Sequence, residues 1–130
     1  MFVALTISQL LIAGGFLFMG VLHFAVPKPF IAIMPRFIPQ SWWKPLVLVS
    51  GVFEALGGAG ILLPITRPWA GIGLLALLVA VFPANVQMLL TARRKNAPAL
   101  QQAILWIRLP LQPAAMWWVW WATLGAGAVA

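Results

Sequence analysis

The sequence contains four apolar runs that are each about 20 residues long. At about 1.5 Å per helical residue, such a run crosses the roughly 30 Å hydrocarbon core of a bilayer. The runs extend approximately over residues 3–26, 46–63, 69–90 and 103–125. Because the connections between them are short, we expect residues 1–130 to form a single all-α membrane domain, a bundle of four transmembrane helices.

The composition also indicates an integral membrane protein. Hydrophobic residues make up 64% of the chain and charged residues only 7%, whereas soluble domains carry about 25% charged residues. The first run has no basic segment before it and is too long for the apolar part of a signal peptide. We therefore expect it to remain in the membrane.

Positive charge is distributed unevenly among the connections. The first and third connections contain most of it, in Lys28, Arg36, Lys44, Arg93, Arg94 and Lys95. The second connection contains only Arg67. Since cytoplasmic loops are enriched in Lys and Arg, this pattern predicts that both termini lie outside. We expect the membrane to be the inner membrane of a bacterium. The net charge of +7 then reflects topology and attraction to lipids, and we expect no nucleic-acid binding.

The sequence offers no cofactor site of its own. It contains no Cys, one His and one acidic residue, so we expect neither a metal site nor an intrinsic redox cofactor. The glycine clusters lie inside the apolar runs and form no phosphate-binding loop. A redox role would therefore depend on a borrowed cofactor such as a quinone.

Polar residues inside the apolar runs form the candidate site, as ligand or proton-relay residues. They are His23, Glu54, Asn85, Arg108 and Gln112. Their positions along the runs, counted from the first and third connections, place all of them in the predicted cytoplasmic half of the bilayer. Ionisable residues at this depth are costly and usually face a functional cavity. The alternatives are packing for His23, interhelical hydrogen bonding for Asn85 and snorkelling for Arg108.

Glu54 is the only carboxylate side chain in the sequence. Helical periodicity places small residues on its face, namely Ser50, Gly51, Gly57 and Gly58. Small residues let membrane helices approach closely, so we interpret the three glycines as a packing motif and expect Glu54 to face the bundle interior. If spans 2 and 4 are neighbours, Arg108 is its predicted main partner, with His23 and Asn85 as candidates for additional contacts, because a buried carboxylate needs a cation or donors. The alternative is an ion pair that serves folding alone.

Two further patterns concern the last two spans. Pro83 removes a backbone donor and should free the carbonyl of Val79, for which Asn85, Gln112 or a ligand is the expected partner. In the fourth span, the sequence MWWVWW predicts an arc of indole rings that faces lipid. The arc consists of Trp117, Trp118, Trp120 and Trp121.

The first connection, residues 27–45, is rich in proline and yet apolar. Its prolines exclude a long helix, while Phe30, Ile31, Ile33, Met34, Trp42 and Trp43 are too apolar for a solvated loop. We expect this segment to lie in the membrane interface and to cover the polar site as a lid.

The segments GVLHFAVPKPF, SGVFEALGG, FPAN and LWIRLPLQP resemble the DoxX-like family of small four-helix membrane proteins, and the resemblance covers nearly the whole chain. It carries over the family motif positions His23, Pro27, Gly51, Glu54, Gly57, Gly58, Pro64, Thr66, Arg67, Pro83, Asn85 and Arg108. Some members of that family are similar to quinone-reducing subunits of thiosulfate oxidation. Others accompany methylamine oxidation or oxidative-stress complexes, and distant relatives assist membrane-protein assembly.

Three functions are compatible with these observations. The first is an accessory or assembly subunit of a larger membrane complex, possibly a redox complex, which contacts other membrane subunits or further copies of the chain. The second is a quinone-binding subunit of an oxidoreductase, in which Glu54, His23 and Arg108 contact the quinone. The third is a small-molecule carrier, which is disfavoured because the sequence shows no inverted repeat. Catalytic residues are not assigned.

Overall fold

The computed structural model describes residues 5–32, 34 and 37–128. Over these residues the regular structure is helical, as predicted. The α-helices are α1 (Ile7–Ala25), α2 (Pro27–Ala32), α3 (Trp43–Ile61), α4 (Arg67–Arg94) and α5 (Ala99–Thr123). Short 3-10 helices lie at Gln40–Trp42 and Ala126–Ala128.

Within the described residues, three helical segments are long and apolar enough to cross a membrane. They are Ile7–Ala25, Gln40–Ile61 and Arg67–Arg94. The first predicted span, residues 3–26, corresponds to α1, and its first two residues lie outside the described residues. The fourth predicted span coincides with α5, which has 25 residues but is not among these three. Gln, Arg and Pro residues interrupt its apolar sequence.

The ends of the helices follow local sequence signals. Thr6 caps α1, because its hydroxyl accepts a hydrogen bond from the Gln9 backbone at 3.1 Å and the Gln9 amide oxygen accepts one from the Thr6 backbone at 3.1 Å. Between α3 and α4, the Thr66 hydroxyl donates to the Gly60 carbonyl at 2.6 Å. Between α4 and α5, Asn96 adopts a left-handed conformation with φ of 50°, which Asn tolerates better than most residues. Consecutive long helices therefore turn back on one another.

The order of packing is α1 against α3, α3 against α4, and α4 against α5, with a smaller contact between α1 and α5. In contrast, α3 and α5 share almost no contact. The condition that we set for a Glu54–Arg108 pair, that spans 2 and 4 are neighbours, is therefore not met.

Glycines allow α1 and α3 to pack backbone against backbone. A Cβ atom on Gly58 would lie 2.8 Å from the Ala13 carbonyl oxygen, and one on Gly20 would lie 2.8 Å from the Gly51 carbonyl oxygen. Gly57 faces α4 instead, where a Cβ would lie 2.5 Å from a leucine side chain. Gly20, which the sequence analysis did not single out, thus belongs to the same contact as Gly51 and Gly58.

The main core lies at the end of the bundle where the start of α1 contacts the end of α5. Its buried residues are Ile12, Ala13, Ile61, Leu74, Val119 and Ala122. A smaller cluster of Leu89, Ala92 and Leu105 lies near the turn between α4 and α5. Asn85 and Gln112 fall between the two clusters along α4 and α5, so polar residues interrupt the apolar interior at this level.

The predicted Trp arc faces outward only in part. Trp117 and Trp120 are 60% and 47% exposed, as expected for a surface in contact with lipid. Trp118 and Trp121, however, pack against the main core, and the Trp118 indole donates a hydrogen bond to the Ser8 hydroxyl at 3.1 Å. The prediction was wrong for these two residues, because α5 contacts both α4 and α1 and has a narrower outer surface than the arc requires.

Candidate functional site

A cavity of about 360 Å³ lies in the half of the bundle next to the first connection and is lined by residues of all five helices. The five polar residues of the candidate site all line it. They are His23, Glu54, Asn85, Arg108 and Gln112. Most of the remaining lining is apolar, from Met19, Phe30, Met34, Val47, Leu78, Val81, Ala84, Leu111 and Ala115. The structure therefore brings the separate polar positions of four helices into one space.

Glu54 lies beside His23, with 3.1 Å between the Glu54 Oε2 and the His23 Nδ1. The same Nδ1 lies 2.7 Å from the carbonyl oxygen of Met19, one turn earlier in α1. Because a carbonyl oxygen can only accept, Nδ1 carries a hydrogen that points to Met19. The Glu54 Oε2 is buried and has no hydrogen-bond donor of its own among the described residues. The Glu54 carboxylate therefore lies close to the imidazole but does not accept the hydrogen bond from its Nδ1–H.

The predicted pairing of Glu54 with Arg108 is wrong. Arg108 donates from Nη1 to the Met88 sulfur at 3.4 Å, and the basic side chain that lies beside Glu54 among the described residues is His23. The reason is helix order: α1, not α5, packs beside α3. Since a thioether is a weak acceptor, Arg108 retains donors on the cavity wall, across from the carboxylate.

Asn85 and Gln112 form the polar contact between α4 and α5. The Asn85 amide donates to the Gln112 side-chain oxygen, and the Gln112 amide donates to the carbonyl of Leu78. The expected acceptor was Val79, four residues before Pro83. Adjacent carbonyls of a helix project about 100° apart, and the carbonyl of Leu78 is the one that faces Gln112. The amide pair thus contacts the α4 backbone one residue before the carbonyl that Pro83 frees.

The first connection contributes to the cavity through α2. The Phe30 ring stacks on the His23 imidazole, with 3.8 Å between the ring centroids and 20° between the planes. Trp43 donates to the Ile38 carbonyl at 2.9 Å and so holds the end of the connection against α3. Phe37, in contrast, is 79% exposed. Ile33, Pro35 and Arg36 of this segment lie outside the described residues.

Sequence reasoning missed a second polar cluster at the opposite end of the bundle. Gln9 is fully buried and donates to the carbonyls of Ala122 at 3.1 Å and Ala128 at 3.3 Å. Arg67 is 5% exposed and donates to the carbonyls of Ile61 at 2.8 Å and Ala128 at 3.3 Å. The Thr-x-x-Gln pattern at the start of α1 predicts the helix cap, but neither burial follows from the pattern. This cluster joins the ends of α1, α3, α4 and α5.

The chemistry of the cavity is that of hydrogen bonding and proton exchange. Arg108 and the two amides supply donors, Glu54 supplies an acceptor or an acid, and the imidazole carries an exchangeable proton beside it. Within the part of the chain that the structure describes, no three His, Cys, Asp or Glu side chains are grouped in a way that could hold a metal ion. A ligand with carbonyl or hydroxyl groups on an otherwise apolar body fits this lining.

Comparison with known proteins gives a family and no function. No curated protein and no solved structure matches the sequence. Residues 12–123 match a family described as a domain of unknown function, DUF8561. The matched region contains every residue of the candidate site and almost all of the four long helices. The chain therefore belongs to the DUF8561 family.

Proposed function

We propose that the chain is a quinone-binding subunit of a membrane oxidoreductase, with the quinone ring in the cavity. The observation that carries this proposal is the convergence of five polar residues from four helices on one otherwise apolar cavity. Its volume of about 360 Å³ lies within the range of roughly 300 to 1,000 Å³ typical of small-molecule sites. Packing alone gives no reason to gather an acid, an imidazole and a guanidinium there.

Each polar group has a role that matches quinone chemistry. Arg108 and the amide of Asn85 or Gln112 donate hydrogen bonds to the quinone carbonyls, which only accept. Glu54 and His23 line the cavity from α3 and α1, where they can pass a proton to a quinone oxygen when it is reduced. The electrons come from a partner subunit, since the chain has no Cys and its described residues provide no metal site.

The proposal includes four crossings of the inner membrane of a bacterium, with both termini outside as the distribution of Lys and Arg predicts. Support for the fourth crossing comes from α5, which at 25 residues is roughly 37 Å long and packs along α4. Its polar residues lower its hydropathy, but Gln112 is buried against α4 instead of facing lipid. The resemblance to the DoxX-like family agrees with this arrangement.

Thermal unfolding of the detergent-purified protein with and without a benzoquinone or a naphthoquinone tests the proposal. A ligand that binds only the folded state stabilises it by about 2.7 kcal/mol at one hundred times its Kd, so the melting temperature should rise. Arg108→Gln and Glu54→Gln should each abolish most of this rise. The matched control, Arg94→Gln, lies outside the cavity and should preserve it. Absence of a rise with both quinone classes would count against quinone binding.

A second candidate is an accessory or assembly subunit that binds another membrane protein through α1. Gly14 and Gly15 are exposed on this helix, and a Cβ on either would meet no atom within 4 Å. Small residues on an open face let a partner helix approach closely. Gly14→Leu with Gly15→Leu should then remove a co-purifying subunit or dissociate a homo-oligomer. Gly73→Leu, an equally open position on α4, should leave the complex intact.

A further inference from the structure

A groove lies beside the C-terminal end of α4, outside the polar cavity. It is lined by Gln87, Leu90, Arg93 and Arg94. Both arginines are exposed, and Leu90 is 47% exposed. Gln87, Leu90 and Arg94 are spaced at i, i+3 and i+7, so they share one face of the helix. The guanidinium groups of Arg93 and Arg94 thus lie on the outer surface next to Leu90, on its C-terminal side.

The groove lies on α4 and borders α5 through Arg93. The Arg93 guanidinium lies over the Trp106 ring of α5, 5.9 Å from its centroid, which restricts one of the two cations to this position. Trp residues are enriched at the boundary between hydrocarbon and headgroups. Trp106 is 51% exposed, so the groove opens at the depth of lipid headgroups.

Among the described residues, no carboxylate side chain lies in the groove to balance its positive charge. The only carboxylate side chain of the sequence, Glu54, lies in the cavity beside His23. Neither arginine forms an ion pair with a side chain of the described residues. Basic residues in a last helical turn do favour the helix dipole, but this effect does not explain the exposed Leu90 below them. Guanidinium groups bind phosphate with paired hydrogen bonds.

We propose that this groove is a binding site for one anionic phospholipid. The phosphate lies between Arg93 and Arg94, and an acyl chain follows Leu90 along α4 toward the bilayer centre. A free phosphate ion shares the headgroup chemistry but lacks the chain that contacts Leu90. The site is independent of the quinone cavity and adds a lipid requirement to the α4–α5 end of the bundle.

Native mass spectrometry of the detergent-purified protein, titrated with lipid, tests this site. Phosphatidylglycerol should be retained as a single adduct at concentrations where phosphatidylcholine with the same chains is not. Arg93→Gln with Arg94→Gln should weaken this retention by about tenfold or more. The control is Lys28→Gln with Lys44→Gln, which removes the same charge at the predicted cytoplasmic side and should leave retention unchanged.

Three results would overturn the proposal. An equal loss of lipid retention in the Arg93/Arg94 and Lys28/Lys44 double variants would show that the overall positive charge, and not this groove, binds the lipid. Displacement of the lipid by an equal concentration of inorganic phosphate would show an anion site without a lipid chain. Equal retention of phosphatidylglycerol and phosphatidylcholine by the unchanged protein would remove the headgroup preference, and this measurement needs no variant to fold. Arg93→Lys with Arg94→Lys keeps the charge and should retain more lipid than the glutamine variant.

Discussion

His23 and Glu54 face each other across the α1–α3 contact, with 3.1 Å between Nδ1 and Oε2. The contact is possible because Gly20 and Gly51 let the two backbones approach. The side chains of the pair are only 10% and 15% exposed. The acid and the imidazole therefore share a position that the helix packing itself creates, and the cavity begins at that position.

We expect Glu54 to be coupled energetically to His23 and not to Arg108. Residues in contact have interaction energies of about 0.5 to 3 kcal/mol in double-mutant cycles, whereas separated residues add almost independently. The cycle of Glu54→Gln with His23→Gln should therefore give a clear interaction energy in reversible unfolding. The cycle of Glu54→Gln with Arg108→Gln should be nearly additive. The reverse pattern would contradict the helix order described above.

Gly58→Ala should destabilise the protein, because the new Cβ would lie 2.8 Å from the Ala13 carbonyl oxygen. Backbone atoms cannot easily shift to relieve such a clash, and overpacking of this kind typically lowers the free energy of unfolding by about 1 to 3 kcal/mol. Gly15→Ala is the matched control, since its Cβ would meet no atom within 4 Å. Titration with a denaturing detergent measures the free energy of unfolding of both variants. If the two variants lose equal stability, the close approach of α1 and α3 is not what Gly58 provides.

Gln9→Ala should destabilise the end of the bundle opposite the cavity. It leaves buried carbonyls, among them that of Ala122, without their side-chain donor, and an unsatisfied buried group costs about 1 to 3 kcal/mol. Gln101→Ala removes an exposed glutamine from α5 and should change stability by no more than about 0.5 kcal/mol. Thermal unfolding compares them. Equal stability of the two variants would mean that Gln9 does not hold the helix ends together.

Alkaline phosphatase fusions test whether α5 crosses the membrane. With four spans and the predicted sidedness, a fusion after Ala128 should be active and a fusion after Asn96 inactive. Equal activity at both positions would show that α5 does not cross. Activity after Asn96 alone would show four spans with the opposite orientation.

Access to α2 tests the role of the first connection as a cover of the cavity. The sequence contains no Cys, so Phe30→Cys and Phe37→Cys each provide a single thiol. Phe30 stacks on His23 inside the cavity, whereas Phe37 is 79% exposed. A membrane-impermeant maleimide should therefore label Phe37→Cys much faster than Phe30→Cys. Equal rates would show that α2 does not shield the cavity.

The helical architecture and the common depth of the polar residues around the cavity could be predicted from the sequence. Long apolar runs cannot expose backbone groups in hydrocarbon, so they must be helical. The depth of a residue in a helix follows from its distance to the nearest connection. His23, Glu54 and Asn85 could thus be placed at one level from chain connectivity alone, without knowledge of which helices are neighbours.

Which side chains are in contact depends on the tertiary structure and could not be predicted from the sequence. Depth and angular position along separate helices do not specify their lateral order, and here α1 instead of α5 packs beside α3. Glu54 consequently contacts His23, and Arg108 lies across the cavity beside Met88. The burial of Arg67 likewise depends on carbonyls from two other segments that converge at one end of the bundle. Such contacts join residues far apart in sequence, and no local pattern encodes them.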